Sequence, residues 1–384
     1  MKRRDFLLAS AGALTSMAPL LARSQAGPCP PPLMSVGGPS VATECRPTAL
    51  AQVAASLSPG SSSTSLGDTG LDSGDVNTIQ WVNRFHYDHA KSRAHMLGKA
   101  ASGGEVTNFL YNAASNTWSS GTYINETGHI YESIAYVPTA GELFTGGWPT
   151  LESPLDTLKK WTFGTPLGSW TNPATSSLGR PINTQTQPSI CWHPNLFGSG
   201  DGGILALSNQ GLNCSVVAWR RSNNQWYTVA GTSHGPIDGG YPSDGAIEYV
   251  RSGDYAIATV PPGRGGNTYR INAGSGGSIG TAVAIADVPT ECYGQLSDYS
   301  SAGGILIDDP LGLGGPYILE KKGSNRVWKY ASGNWTLKSY THPFPAGSSS
   351  TNTSWLVASV YPLGVFWAKS NSINTPSRLW QPND

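Results

Sequence analysis

Charge is what this chain has least of: 12% of its 384 residues are Asp, Glu, Lys or Arg, against roughly 25% in an ordinary globular protein. The two signs cancel at 24 each, so neither a basic nucleic-acid surface nor an acidic solvating tail is written into the composition. Histidine is sparse at seven, and the five cysteines show no C-x-x-C spacing of the kind a zinc site uses. Past the first two dozen residues no apolar run approaches the ~20 residues that a membrane-spanning helix needs. Helical periodicity is nearly absent as well; Leu50, Val53 and Leu57 offer one short helix. What is abundant is Gly at 47, Pro at 28, Tyr at 16 and Trp at 13, the vocabulary of turns and of half-buried strands.

The stretch Phe85 to Trp118 sets the pattern. Phe85, Tyr87, Ala94, Met96 and Leu97 bracket a polar turn at 88–93 and predict two short antiparallel strands. Phe109 to Tyr111 predicts a third, and a turn at 112–116 leads to Trp118 on a fourth. The same order returns from Ile134 through Gly146-Gly147 to Trp170, and from Ile190 through Val216 to Trp226. Looser copies run from Ile247 to Ile279 and from Ile305 to Trp335, the last with only three apolar runs. A sixth, with Val360, Val365 and Trp380, stops short of a fourth strand. A unit of roughly fifty residues with four strands is that of an all-β protein, a six-bladed β-propeller of four-stranded antiparallel blades, with seven as the alternative count.

The turn-then-Trp ending and the diglycine after the second strand, clean only at Gly146-Gly147, resemble kelch repeats, as in the galactose-oxidase central domain and in six-bladed sugar epimerases. The resemblance covers Gln80 to Trp380 and implies a fold rather than an activity. It also raises the copper radical oxidases, which need a Cys-linked tyrosine and a ligand on a further domain. No Tyr-His dipeptide is present and copper is not expected.

Residues 1–26 read as a targeting segment, with Arg3-Arg4 and Phe6-Leu7 before an apolar run and Ser24-Gln25-Ala26 at its end. The pattern is that of a twin-arginine signal peptide. It implies a periplasmic or secreted protein, no membrane insertion once the signal is removed, and no nucleic-acid partner. In an oxidising compartment Cys29 would pair with Cys45 and Cys191 with Cys214, leaving Cys292. Residues 27–75 read as a Pro/Ser/Gly-rich arm and 76–384 as the propeller. A strand around Val76 to Val82 is expected to complete the last blade, so that deleting 27–64 would leave the ring folded.

Several motifs suggest chemistry. GDTGLDSGD gathers Asp68, Asp72 and Asp75 as a calcium loop would, but departs from the D-x-[DN]-x-[DN]-G pattern; it reads as linker, and no cofactor is required. Gly276 to Gly280 matches G-x-S-x-G, yet no helical pattern follows and a Gly/Ser turn is expected. His86, His89, His95 and His193 fall on strands and turns that separate them, and read as packed or exposed imidazoles.

The usual propeller site is the funnel where connections into each first strand meet those joining strands two and three. Here these carry His129, Tyr131, Glu132 and Asp244 as candidate catalytic groups. Arg84, Gln187, Arg264 and Tyr293, with Trp148 and Trp355 as stacking surfaces, are candidate substrate contacts. His129 and Tyr131 would share one face of a strand, an imidazole beside a phenol suited to moving a proton on a sugar. The expected function is binding and processing of an extracellular carbohydrate by lyase, epimerase or hydrolase chemistry. The alternatives are a non-catalytic glycan- or protein-binding propeller and a structural or assembly module.

Overall fold

The computed structural model describes residues 48–71, 84–99, 106–124, 133–146, 158–164, 170–171, 173, 189–210, 213–232, 234–236, 245–259, 267–289, 304–320, 325–344, 355–361, 363–370 and 377–384. Their strands form six antiparallel sheets in chain order, the blades of a six-bladed propeller. Blade one is β1 (His86–Asp88), β2 (Arg93–Lys99), β3 (Val106–Asn112) and β4 (Thr117–Ile124). Blade two is β5 (Ala135–Val137), β6 (Glu142–Gly146) and β7 (Leu158–Thr162). Blade three is β8 (Ile190–His193), β9 (Gly203–Gln210), β10 (Asn213–Arg220) and β11 (Gln225–Thr228), with β12 (His234–Pro236) also on β10. Blade four is β13 (Ala246–Val250), β14 (Tyr255–Thr259), β15 (Thr268–Asn272) and β16 (Ala282–Ile285). Blade five is β17 (Gly304–Ile307), β18 (Tyr317–Glu320), β19 (Arg326–Ala331) and β20 (Asn334–Thr341). Blade six is β21 (Trp355–Val360), β22 (Val365–Ser370) and β23 (Arg378–Trp380).

The turn-then-Trp signal has a local cause. Asn116, Asn224 and Ser332-Gly333 lie in the left-handed region, where Asn and Gly are tolerated, and each reverses the chain into the strand that carries Trp118, Trp226 or Trp335. In blade two the residue after Trp170, Thr171, exchanges two backbone bonds of 2.9 Å with Lys160 and stands where a fourth strand would run. Two expectations shift. The last strand of blade four starts at Ala282 rather than Ile279, because Ser275 and Ser278 close a turn in which Gly276 and Gly277 have φ of 58° and 84°. That turn holds the G-x-S-x-G match, and no helix follows it. The fifth copy gains β18, whose four residues are all buried behind a Gly/Pro-rich lead.

Large rings fill the junctions between blades. Trp367 of blade six lies 4.9 Å from Phe85, 4.7 Å from Tyr111 and 5.6 Å from Trp118, while Phe144 of blade two meets Trp219 of blade three at 5.3 Å. Each buried aromatic removes ~200 Å² from water, worth about 5 kcal/mol of transfer free energy, which exceeds any single hydrogen bond at these junctions.

The arm is part of the ring from Thr48 onward. Thr48 caps helix α1 (Ala49–Ala55), its hydroxyl accepting from Ala51 N at 3.2 Å. Leu50, Ala54, Leu57 and Leu66 are buried in the core shared by blades one and six. Beyond the helix the chain runs antiparallel to β23: Ser63 N donates to Leu379 O at 2.9 Å, Leu66 N to Ser377 O at 2.8 Å and Gln381 N to Ser61 O at 3.1 Å. Residues 60–66 therefore take the place of a fourth strand along the edge of β23. Closure by a segment from the other end of the chain is as expected, with residues 60–66 beside β23; Val76 to Val82 lie outside the described residues. The run around Ser56 to Leu71, read as linker, packs because its backbone completes a sheet edge that would otherwise be open.

Asp68 fixes the crossing to blade one. Its carboxylate accepts from Trp118 Nε1 at 2.8 Å, Lys369 Nζ at 3.0 Å and Ser377 Oγ at 2.7 Å, a structural clamp. Gly70 follows at φ 95°, where an added Cβ would sit 2.2 Å from Trp118 O. No helix among the described residues is long and apolar enough to cross a membrane.

The pairing of Cys191 with Cys214 is not made; Cys191 is a free, buried thiol. Cys191 on β8 lies opposite Leu205 and, one strand further, Ala218, four residues along β10 from Cys214. Two strand spacings and four residues separate the Cα atoms by about 16 Å, far beyond the ~7 Å limit of a disulfide. Cys29, Cys45 and Cys292 lie outside the described residues.

Candidate functional site

The first strands line the propeller axis, and the most buried arginine among the described residues reaches across it. Arg84 precedes β1, where its backbone pairs in parallel with Val357 of β21 and Phe85 N donates to Val357 O at 3.1 Å. This anchoring aims the side chain inward. The guanidinium donates to Ile190 O of blade three, to Ile247 O of blade four at 2.9 Å, and to the Glu248 carboxylate, with Nη1–Oε2 at 2.5 Å. Arg84 is 2% exposed. One side chain thus ties blade one to the opposite side of the ring.

Glu248 passes the contact on. Its other oxygen accepts from Asp308 N at 3.3 Å, and Asp308, just past β17, accepts from Arg251 Nη1 at 2.6 Å. Burial raises the Glu248 carboxyl against the pull of Arg84 and Arg251, and pushes Asp308 up to about 8 despite Arg251. His86 bonds Ile134 O at 3.0 Å through Nε2, and burial, with Arg84 adding to it, lowers it to about 3. Burial, then the Glu248 charge, raises the Cys191 thiol well above its ordinary range. Arg84 with Glu248 and Arg251 with Asp308 form two linked pairs around the axis, and the imidazole and thiol beside them are held neutral.

The expected site residues divide accordingly. Arg84, expected to hold a substrate carboxylate, is committed to Glu248 and two main-chain carbonyls. Trp355, expected to stack on a ligand, is 1% exposed and packs 4.9 Å from Phe344 and 5.2 Å from His342 in the junction of blades five and six. Inward side chains of a first strand meet the neighbouring blade, which is why this Trp is core. His129, Tyr131, Glu132, Asp244, Gln187, Arg264, Tyr293 and Trp148 lie outside the described residues.

His86 and His95 are brought opposite each other across β1 and β2, whereas His193 lies apart in blade three. His193 is buried 4.9 Å from the Tyr249 ring, accepts from Asn195 N through Nδ1 and is lowered by burial to about 4. His95 is stacked on Tyr136 at 4.7 Å, with both ring nitrogens unpartnered and its basicity suppressed by burial and by Arg93. Among the described residues no three His, Cys, Asp or Glu are grouped to hold a metal ion.

Two groupings escaped the sequence reading. Glu248 in the apolar run AIEYV and Asp308-Asp309 directly after GILI were the only signals of the axial cluster: charge where the strand pattern calls for apolar residues. The second surrounds Asp384 beyond β23, where Lys338 Nζ lies 2.6 Å from Oδ1, Tyr340 OH donates to Oδ1 at 2.9 Å, and Lys329 and Tyr317 both bond Oδ2. Nothing in the local sequence joins these five residues.

No family model matches the chain, and no curated protein does. Among solved structures, a Kuenenia stuttgartiensis hydrazine synthase chain is similar at 11% identity and TM-score 0.44, over 78% of this chain and 82% of that one. TolB from Acinetobacter baumannii is similar at 15% and 0.41, over 76% and 64%. A chain of a nidogen/laminin complex is similar at 10% and 0.40, over 66% and 75%. Their names share no activity, and at this level of likeness the function rests on the residues themselves.

Proposed function

We propose that the protein is an exported propeller that binds an extracellular carbohydrate on the face built from the connections into its first strands, without acid–base chemistry on the axis. The observation that carries this reading is the axial ion pair. Arg84, buried, reaches from blade one to Glu248 of blade four, and the His86 imidazole, on which Arg84 acts, is lowered to about 3 and stays neutral. A ligand would therefore bind outside the Arg84–Glu248 pair, and Gln187, Arg264, Tyr293 and Trp148, chosen from the sequence alone, are the residues we propose to supply hydrogen bonds, charge and a stacking ring. The low charge and the high Gly, Trp and Tyr content suit a neutral sugar-binding exterior. The amino-terminal Arg pair supports export.

A panel of neutral and acidic oligosaccharides, scored in parallel for binding and for product, tests this. Binding without product, weakened by Trp148→Ala and by Gln187→Ala, is the expected result. Turnover that falls about a hundredfold in His129→Ala or Tyr131→Phe would instead establish the enzyme reading. Binding to no glycan at all would leave the assembly reading.

A further inference from the structure

The cluster around Asp384 is built like a recognition site. Tyr317 and Lys329 are cross-strand partners on β18 and β19, and Lys338 and Tyr340 lie two apart on the same side of β20. Their positions are set by the sheet of blade five, independently of the segment that crosses them. Tyr317 is held from behind by Phe366 at 5.3 Å, and Tyr340 packs 6.0 Å from Trp380. Lys329 Nζ also donates to Tyr317 OH at 2.9 Å.

The segment after β23 contributes only the acceptor. Gln381 is still bonded to Ser61, but Asn383 is exposed and Asp384 reaches the cluster through its side chain. Two ammonium groups and two phenols converge on that one carboxylate, while among the described residues the one other anion paired there is Asp309, 3.6 Å from Lys329. Without the Asp384 carboxylate the four donors would remain, with one positive charge uncompensated. Such a set matches an oxygen anion with two acceptor atoms, each taking one ammonium and one phenol.

We infer that this is a carboxylate-binding site whose resident occupant is Asp384, and that its external ligand is an acidic sugar whose carboxylate displaces it. The sugar half rests on the carbohydrate reading above; the carboxylate half does not. Tethered by three residues to a bonded backbone, the Asp384 carboxylate competes at an effective concentration of roughly millimolar or more, so a weak external ligand is masked in the unaltered chain.

Calorimetric titration of the full chain and of Asp384→Asn with galacturonate, galactose and acetate reads this directly. The variant is expected to bind galacturonate with a Kd at least about tenfold lower than the unaltered chain does. It should ignore galactose, and adding Lys338→Met should abolish the gain. Asp384→Ser, which keeps an acceptor for Tyr340, serves if the Asn variant is not folded. A folded variant with unchanged galacturonate affinity would overturn the proposal, and so would unfolding of both variants, since the carboxylate would then be a clasp. Acetate binding as tightly as galacturonate would keep the site and overturn the sugar. A neutral glycan bound elsewhere leaves these outcomes untouched, so this proposal and the one above fail separately.

Discussion

Arg84→Met tests whether the axis is held by its charge lattice. The guanidinium is buried, and its removal strands the Glu248 carboxylate and withdraws two donors from the carbonyls of Ile190 and Ile247. Breaking a buried pair on one side costs about 3–5 kcal/mol, because the remaining charge stays desolvated. For a ring of this size each kcal/mol moves the melting temperature by roughly 2 °C, so a fall of about 8 °C is expected by calorimetry. Arg84→Lys should recover little, since a single ammonium cannot serve acceptors from two blades in the fork geometry. The double variant Arg84→Met/Glu248→Leu removes both charges together and should return to within about 2 kcal/mol of the parent in urea denaturation. A loss under about 1 kcal/mol for Arg84→Met, or a double variant as unstable as the sum of its parts, would refute the lattice as the source of axial rigidity.

Three further outcomes follow from particular residues. Asp308, raised to about 8, keeps a proton that the unfolded chain releases above about 4, so this group makes stability fall as pH rises between those values, by at most about 1.4 kcal/mol per unit. His86, lowered to about 3, and His193 and His342, lowered to about 4, act the other way: the unfolded chain takes up protons below 6.5 and stability is lost as pH falls. Asp308→Asn should flatten the descent between pH 6.5 and 8 and steepen the acid limb between about 4 and 6.5, where Asp308 opposes the histidines, read by urea denaturation across pH. A chain starting at Thr48 should be folded, whereas one starting at Gly67 loses the segment along the edge of β23 and should aggregate, measured by scattering and circular dichroism; equal behaviour of the two would contradict closure by residues 60–66. Replacing Arg3 and Arg4 with Lys should hold the precursor in the cytoplasm, and normal export of that variant by cell fractionation would rule out the twin-arginine route.

The blade plan was legible because it is local chemistry. Asn116 before Trp118, Asn224 before Trp226 and Gly333 before Trp335 mark left-handed turns, and alternating apolar residues mark the strands on either side. Period and turn chemistry alone therefore determined an all-β ring and its order. They also indicated that the last blade lacked a strand and needed one from elsewhere. Which segment supplied it was decided by tertiary structure: the polar run at 60–66 has no strand pattern of its own and is ordered by the open edge of β23. The same holds for Arg84 with Glu248 and for Lys329 and Lys338 with Asp384. A charge reveals its partner only when the ring brings together residues that are distant in sequence or on different strands, because a buried charge is tolerated solely where an opposite one meets it.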